Sequence, residues 1–352
     1  MPDNVQTLCP VHFNGSVPLA STEEVMRTIA GALGQRTMRL PDGEVGAKAG
    51  WINNQHRVFE RIPAFESFEA DTDWRTPHRK RRRFRLRAGA RAPNAADLGP
   101  LGYADWAADS FAVFQKLKRD GAVPAQARLK IAIPSPYDSL NYALDPQNFD
   151  AVMPAYEACL RAEIGKLAAA LPAGEIALQF DVAHEFEALA SGDPVFFPIS
   201  RQEIVELLIR LGRAVPEKVE LGYHCCYGNY NLRHFVEPKD TGDMAEIMNG
   251  VIAGIGREVA FIHMPVPHQR SDDAYFAALK DFRPGSGTQL FLGLVHDHDG
   301  VPGALKRAAA ARKVLPRFGV ATECGLSGRT PENIKELLRI HREAAAEIDR
   351  MG

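Results

Sequence analysis

The chain has 352 residues, 45% of them hydrophobic and 24% charged, with a formal net charge of -2. That length and balance suit a globular protein with an ample core; they speak against disorder and give no electrostatic bias toward nucleic acid or anionic lipid. No apolar stretch approaches the roughly 18 residues of a membrane span. The opening Met1-Pro-Asp-Asn-Val-Gln lacks a basic region followed by an apolar core, so no membrane attachment and a cytoplasmic location are expected. Five cysteines, an odd number without scaffold rhythm, agree with a reducing compartment.

Eight short apolar runs follow in chain order: 8–13, 37–40, 129–133, 175–180, 218–223, 259–262, 289–295 and 319–322. Most are separated by stretches of helical periodicity, clearest over 154–171, 200–214, 244–255, 272–282, 302–315 and 331–351. Ser200-Arg-Gln-Glu203 and Thr330-Pro-Glu-Asn-Ile334 read as capped helix starts, the second with Pro331 in the first turn. Repeated βα units predict an α/β protein, a (β/α)8 TIM barrel formed by residues 1–352 as one domain. An open doubly wound sheet is the rival, disfavoured because no G-x-G-x-x-G follows a strand. Residues 51–128 are too long for one connection and form an insertion between strands 2 and 3. Its run His78-Arg-Lys-Arg-Arg-Arg-Phe-Arg-Leu-Arg87 reads first as a solvated hairpin edge and second as a cradle for an anion.

The strand ends carry the chemistry. His224-Cys225-Cys226 closes the fifth run, and alternation puts His224 and Cys226 on one face with Cys225 on the other. Cys324 closes the eighth run. In a closed barrel these strand ends converge, and a His/Cys/Cys set suits zinc; the plainer alternative is buried structural cysteine. His263, ending the sixth run, is a candidate fourth ligand. Gly15 and Ser16 follow the first run and expose backbone N–H groups. Glu44 follows the second, while Asp181, His184, Glu185 and Glu187 follow the fourth. Carboxylates there suit a cationic group, or else cap helices. His296 and His298 follow the seventh run and share a face with each other if the strand persists, which suits acid–base chemistry.

Together these segments resemble the catalytic C-terminal barrel of cobalamin-independent methionine synthase, in particular its short single-barrel relatives. Gly15-Ser16-Val-Pro18 is similar to the family's Gly-Ser-Phe/Tyr-Pro turn, Asp42-Gly-Glu44 to His-Gly-Glu, and Gln179-Phe-Asp181 to Gln-Ile-Asp-Glu-Pro, with Val182-Ala183 in place of Glu-Pro. His224-Cys225-Cys226-Tyr227 resembles the His-x-Cys-Tyr zinc segment, and Thr322-Glu-Cys324-Gly-Leu-Ser-Gly-Arg329 the segment supplying the last cysteine. His296-Asp-His298-Asp-Gly-Val-Pro302 is similar to Tyr-Asp-Ile-His-Ser-Pro-Asn-Val-Pro. The family's zinc-binding Glu, at the end of the sixth strand, is missing; here Ile262-His263 stands there, ahead of Arg270-Ser271-Asp272.

The resemblance implies a zinc-dependent methyltransferase that activates a homocysteine-like thiol as a zinc thiolate. The metal ligands would be His224, Cys226, Cys324 and His263, with His268, Glu323 or a water as alternatives for the fourth. Gly15 and Ser16 would meet the acceptor's carboxylate. Glu44 and Asp181 would bind its amine, with Asp181 and His298 counted as catalytic and His298 protonating the departing donor. A small-molecule methyl donor, folate or corrinoid, is implied. The alternative is a zinc-dependent lyase or demethylase-type enzyme acting on an oxygenated, perhaps aromatic, substrate.

Overall fold

The structure, a computed structural model, describes residues 8–70, 81–191, 197–229 and 232–351. In chain order its strands are β1 (Arg39–Pro41), β2 (Phe65–Ala70), β3 (Arg81–Leu86), β4 (Arg128–Pro134), β5 (Ile176–Val182), β6 (Glu220–Cys225), β7 (Phe261–Pro265), β8 (Gln289–Val295) and β9 (Gly319–Thr322). Seven of them form one curled parallel sheet in the order β1-β4-β5-β6-β7-β8-β9, while β2 and β3 pair as a separate antiparallel hairpin. Twelve α-helices are present among the described residues, beginning with α1 (Thr22–Leu33).

The expected eighth ladder is replaced by something looser. Run 8–13 makes one bridge, Val11 to Val320, with His12 N donating to the Val320 carbonyl and Val320 N to that of Pro10, each at 2.9 Å. On its other side Val11 N reaches the Arg36 carbonyl at 2.8 Å and Val17 N that of Gly43 at 2.9 Å. The segment thus lies between β9 and β1, the two edges of the sheet, without becoming a regular strand. Pro10 has no N–H to give, and the chain turns away at Asn14-Gly15, which leaves too few donors for a ladder.

Local sequence explains the helices that position the site. In α8 (Arg201–Ala214) and α12 (Pro331–Arg350) the anticipated caps form: Ser200 accepts from Glu203 N and Thr330 from Asn333 N, each with the reciprocal side-chain bond. These caps answer N–H groups that a helix start leaves unpaired. Along α12, Ile334, Leu337, Leu338 and Ile348 are buried at helical spacing, each worth about 1.5–3 kcal/mol of burial. The helix expected over 272–282 is shorter: α10 (Asp273–Phe276) gives way to a 3₁₀ segment, Ala277–Asp281.

Between β1 and β4 lie the hairpin and α4 (Tyr103–Arg119), which packs on α1 and β4. Residues 78–80 of the arginine run lie outside the described residues. In and just after β3, Arg82 pairs with Glu60, Arg85 and Arg87 pair with Glu66, and Arg83 donates to the Asn141 carbonyl. The run is therefore largely charge-matched from within its own neighbourhood. At the N-terminal ends of the parallel strands Glu220 accepts from Arg39 at 2.7 Å and Arg128 at 2.8 Å, and Arg39 also reaches Gln289. The open C-terminal ends carry the groups singled out above.

Candidate metal centre

The register of β5, β6 and β7 sets Asp181 beside His224 and His224 beside His263. Past the end of β6 the chain continues extended, Cys226 N donating to the Val182 carbonyl at 2.9 Å. The His224 imidazole and the Cys226 thiol therefore share a face, and Cys225, buried on the other side, lies near Glu185. From β9, Cys324 comes to meet the first pair. Its sulfur is 3.3 Å from Cys226 Sγ and 3.6 Å from His224 Nε2, and the three donor atoms lie within 4.8 Å of one another.

Two thiols and an imidazole so close are a poor hydrophobic core and a good soft-metal site. The Cys324 contact and then burial push the Cys226 thiol well up, and burial drives His224 well below the usual histidine value. A neutral imidazole is the ligand form, and a thiol must lose its proton to a metal. The donor set thus fits zinc.

His263 is not in that cluster. Its Nδ1 faces His224 Nδ1 at 2.7 Å and its Nε2 faces the Thr322 carbonyl at 2.9 Å, so both ring nitrogens are occupied behind the donors. The ring of this candidate fourth ligand is aimed at its neighbour His224. Of the alternatives, Glu323 lies beside His234 (3.5 Å) and His296 (3.7 Å), and the His268 ring stacks edge-on to that of His298 at 4.5 Å. Neither stands with the three donors.

A second polar layer lies beside the metal candidates. Ser16 Oγ donates to Glu44, and Glu44 Oε1 lies 2.6 Å from where a Cβ on Gly15 would sit, so glycine is required for the carboxylate to close on that backbone. Asp42-Gly43-Glu44 is a tight turn with φ of 81° at Gly43 and 52° at Glu44, held by Glu44 N to Asp42 Oδ1 at 3.0 Å. A non-glycine residue in that region is held there by its surroundings, and such strain concentrates at functional sites. Gln179 Nε2 donates to Asp181 Oδ1 at 2.7 Å and to the Asn14 carbonyl at 2.6 Å, and Gln179 Oε1 meets His12 Nε2 at 2.9 Å.

The sequence reading missed Lys130. It is buried on β4 and donates to the Asn14 carbonyl at 2.6 Å, within the field of Asp181, Glu44 and Asp42. A lysine inside the apolar run Leu129-Lys-Ile131 was the available signal. Burial lowers its pKa to about 8, against the pull of those carboxylates. Burial, and after it the Asp181 charge, raise Glu44 to about 8. Beside Glu44 a cavity of about 40 Å³ is lined by Asp42, Lys48, Tyr103, Trp106 and Ile131.

The remaining candidates spread outward. β8 ends at Val295 and the chain turns, so His296 is buried, its Nε2 facing the Val266 carbonyl at 2.9 Å, whereas the His298 side chain is 52% exposed. The shared face expected for the two histidines is lost with the strand. Asp297 pairs with Arg329, and Asp299 takes a two-pronged bond from buried Arg307 at 2.7 and 2.8 Å. These pairs pin the turn that carries His298. His184, Glu185 and Glu187 are buried at the start of α7 (His184–Ser191), where Asp138 accepts from His184 N and faces His184 Nδ1, and Ser135 donates to Glu185. The loop after β9 returns to the first one: Leu326 N donates to the Ser16 carbonyl at 2.7 Å and Asn229 to that of Gly325 at 2.9 Å.

Solved structures with this architecture exist. The chain matches a B12-independent methionine synthase from Shewanella sp. W3-18-1, solved with selenomethionine, with a TM-score of 0.60 at 14% identity over 98% of this chain and 99% of that one. The two share a fold. A putative vitamin-B12 independent methionine synthase from Listeria monocytogenes matches with a TM-score of 0.53 at 14% identity, over 94% of this chain and 86% of that one. No family model matches the chain, and no curated protein does. Among the described residues no helix is long and apolar enough to cross a membrane.

Proposed function

We propose that the protein is a zinc-dependent methyltransferase whose acceptor is a thiol of homocysteine-like chemistry. The observation that carries this reading is the convergence of His224, Cys226 and Cys324 at the C-terminal ends of two strands, beside the acidic side chains of Glu44 and Asp181. The segment around Val11 would complete a (β/α)8 barrel, with residues 1–352 as one domain and 51–128 inserted; its hydrogen bonds to both sheet edges support this. The likeness to methionine synthase structures supports the fold, and the donor set supports the chemistry.

In this scheme His224, Cys226 and Cys324 would hold zinc, which would also bind the acceptor thiol. Zinc bound there would supply Lewis acidity that lowers the pKa of a thiol and keeps it nucleophilic near neutral pH. Glu44 and Asp181 orient the acceptor through its ammonium, and Ser16 Oγ, now donating to Glu44, sets the position of that carboxylate. Gly15 allows close backbone approach. Gln179 holds Asp181 at 2.7 Å, so this carboxylate is fixed before substrate arrives. Lys130 offsets part of the local negative charge. His298, exposed at the rim, can deliver a proton to the leaving donor, a folate- or corrinoid-type small molecule.

The test is a cobalt-substituted protein titrated with homocysteine. Added thiolate-to-cobalt absorption on top of that from the two cysteines is expected. A spectrum unmoved by thiols but shifted by oxygenated aromatic compounds would favour a lyase or demethylase-type reaction, for which the absent Glu-Pro after Asp181 speaks.

A further inference from the structure

We infer that His263 is a positioning residue for the metal centre: it fixes the tautomer of His224 and ties the His224 strand to the Cys324 strand. The inference rests on the metal reading above and adds a residue to it. The argument is one of donors and acceptors. The Thr322 carbonyl can only accept, so His263 Nε2, 2.9 Å away, carries the proton; Asn14 Nδ2, 3.3 Å from the same nitrogen, gives its hydrogen to that carbonyl instead. A contact of 2.7 Å between two ring nitrogens needs one donor and one acceptor, and with its proton on Nε2 His263 presents Nδ1 as the acceptor. The facing atom, His224 Nδ1 at 2.7 Å, must donate to it. That leaves His224 Nε2 with a free lone pair, and this is the nitrogen that stands 3.6 Å from Cys324 Sγ.

The chain of bonds thus turns the one ligating nitrogen outward before any metal arrives. Outer partners of this kind orient ligating histidines and raise their basicity. The far end matters as much. Thr322 is two residues before Cys324 on β9, and its hydroxyl donates to the Cys324 carbonyl at 2.7 Å. Asn14 Nδ2 also donates to the Thr322 carbonyl, at 3.2 Å. His263 therefore reaches from β6 to β9 across the barrel and sets the spacing between two ligand strands.

The experiment compares zinc affinity, by competition with a chromophoric chelator, in wild type, His263→Ala, His263→Phe and His263→Asn. Ala and Phe remove the acceptor and should weaken zinc about 10–100-fold. Asn places an amide oxygen near the position of Nδ1 and should restore most of the loss. Equal affinity in wild type and His263→Ala, or an Asn variant as weak as Ala, would overturn the inference while leaving the metal site standing. A wild-type protein that binds no zinc would sink both. Should the Ala and Phe variants not fold, the ring-nitrogen NMR signals of the zinc-loaded wild type decide the matter: Nδ1–H on His224 with Nε2–H on His263 is expected, and the reverse assignment refutes it.

Discussion

Gly15→Ala tests the acidic pocket in a way that needs no knowledge of the substrate. An added Cβ would stand 2.6 Å from Glu44 Oε1, where ordinary contact begins near 3.4 Å, so the carboxylate must withdraw by several tenths of an ångström. Gly15 is not among the positive-φ glycines, so alanine fits the backbone itself. Withdrawal breaks the bond from Ser16 Oγ to the Glu44 carboxyl, which is neutral below a pKa of about 8, so the bond is worth about 0.5–1.5 kcal/mol. The smaller unfolded-state entropy of alanine returns about 0.4–1 kcal/mol. A net loss of up to about 1 kcal/mol is expected, a fall in Tm of roughly 1 °C for a chain this long. Denaturant unfolding of Gly15→Ala, Glu44→Ala and the double variant forms a cycle. If Glu44 is the obstacle, adding Gly15→Ala to Glu44→Ala costs nothing or stabilises slightly. The same loss in both backgrounds would refute the reasoning.

Two further outcomes follow from the protonation states. Because Cys226 is held protonated by its neighbour and by burial, zinc must displace at least one proton, so apparent zinc affinity should rise at least tenfold per pH unit near neutrality; a pH-independent Kd would contradict this. Glu44 has a folded pKa of about 8 against an ordinary 4.5, so its contribution to stability is complete below about 4.5 and is lost as pH rises toward 8. Lys130, lowered from 10.5 to about 8, acts only above that window, where its contribution returns as pH rises. Glu44→Gln should therefore flatten the decline in stability between pH 5 and 8, and an unchanged slope in denaturant unfolding would count against the assignment.

Much of the site was legible because strand alternation is strict. His224 and Cys226 two residues apart, with a distant strand-end cysteine, were enough to bring three donors together once parallel strands were assumed. Alternation says which face a residue takes, not where its ring points: His263, named as a ligand candidate for its place at a strand end, turns its ring to His224. It also fails as soon as a strand stops: β8 ends before His296, and His298 turns to solvent. Run 8–13 read as an apolar strand, yet Pro10 and the Asn14-Gly15 turn deprive it of a ladder. Lys130 was passed over inside an apolar run because a buried cation makes sense only with its carboxylate neighbours in view, and those come from β1 and β5.

The central claim is most directly tested by counting metal in the purified protein beside Cys226→Ser and Cys324→Ser. About one zinc per chain, lost in both variants while the fold remains, is the predicted result. No zinc under metal-replete conditions, or zinc retained by both variants, would contradict the account and return the two cysteines to the core.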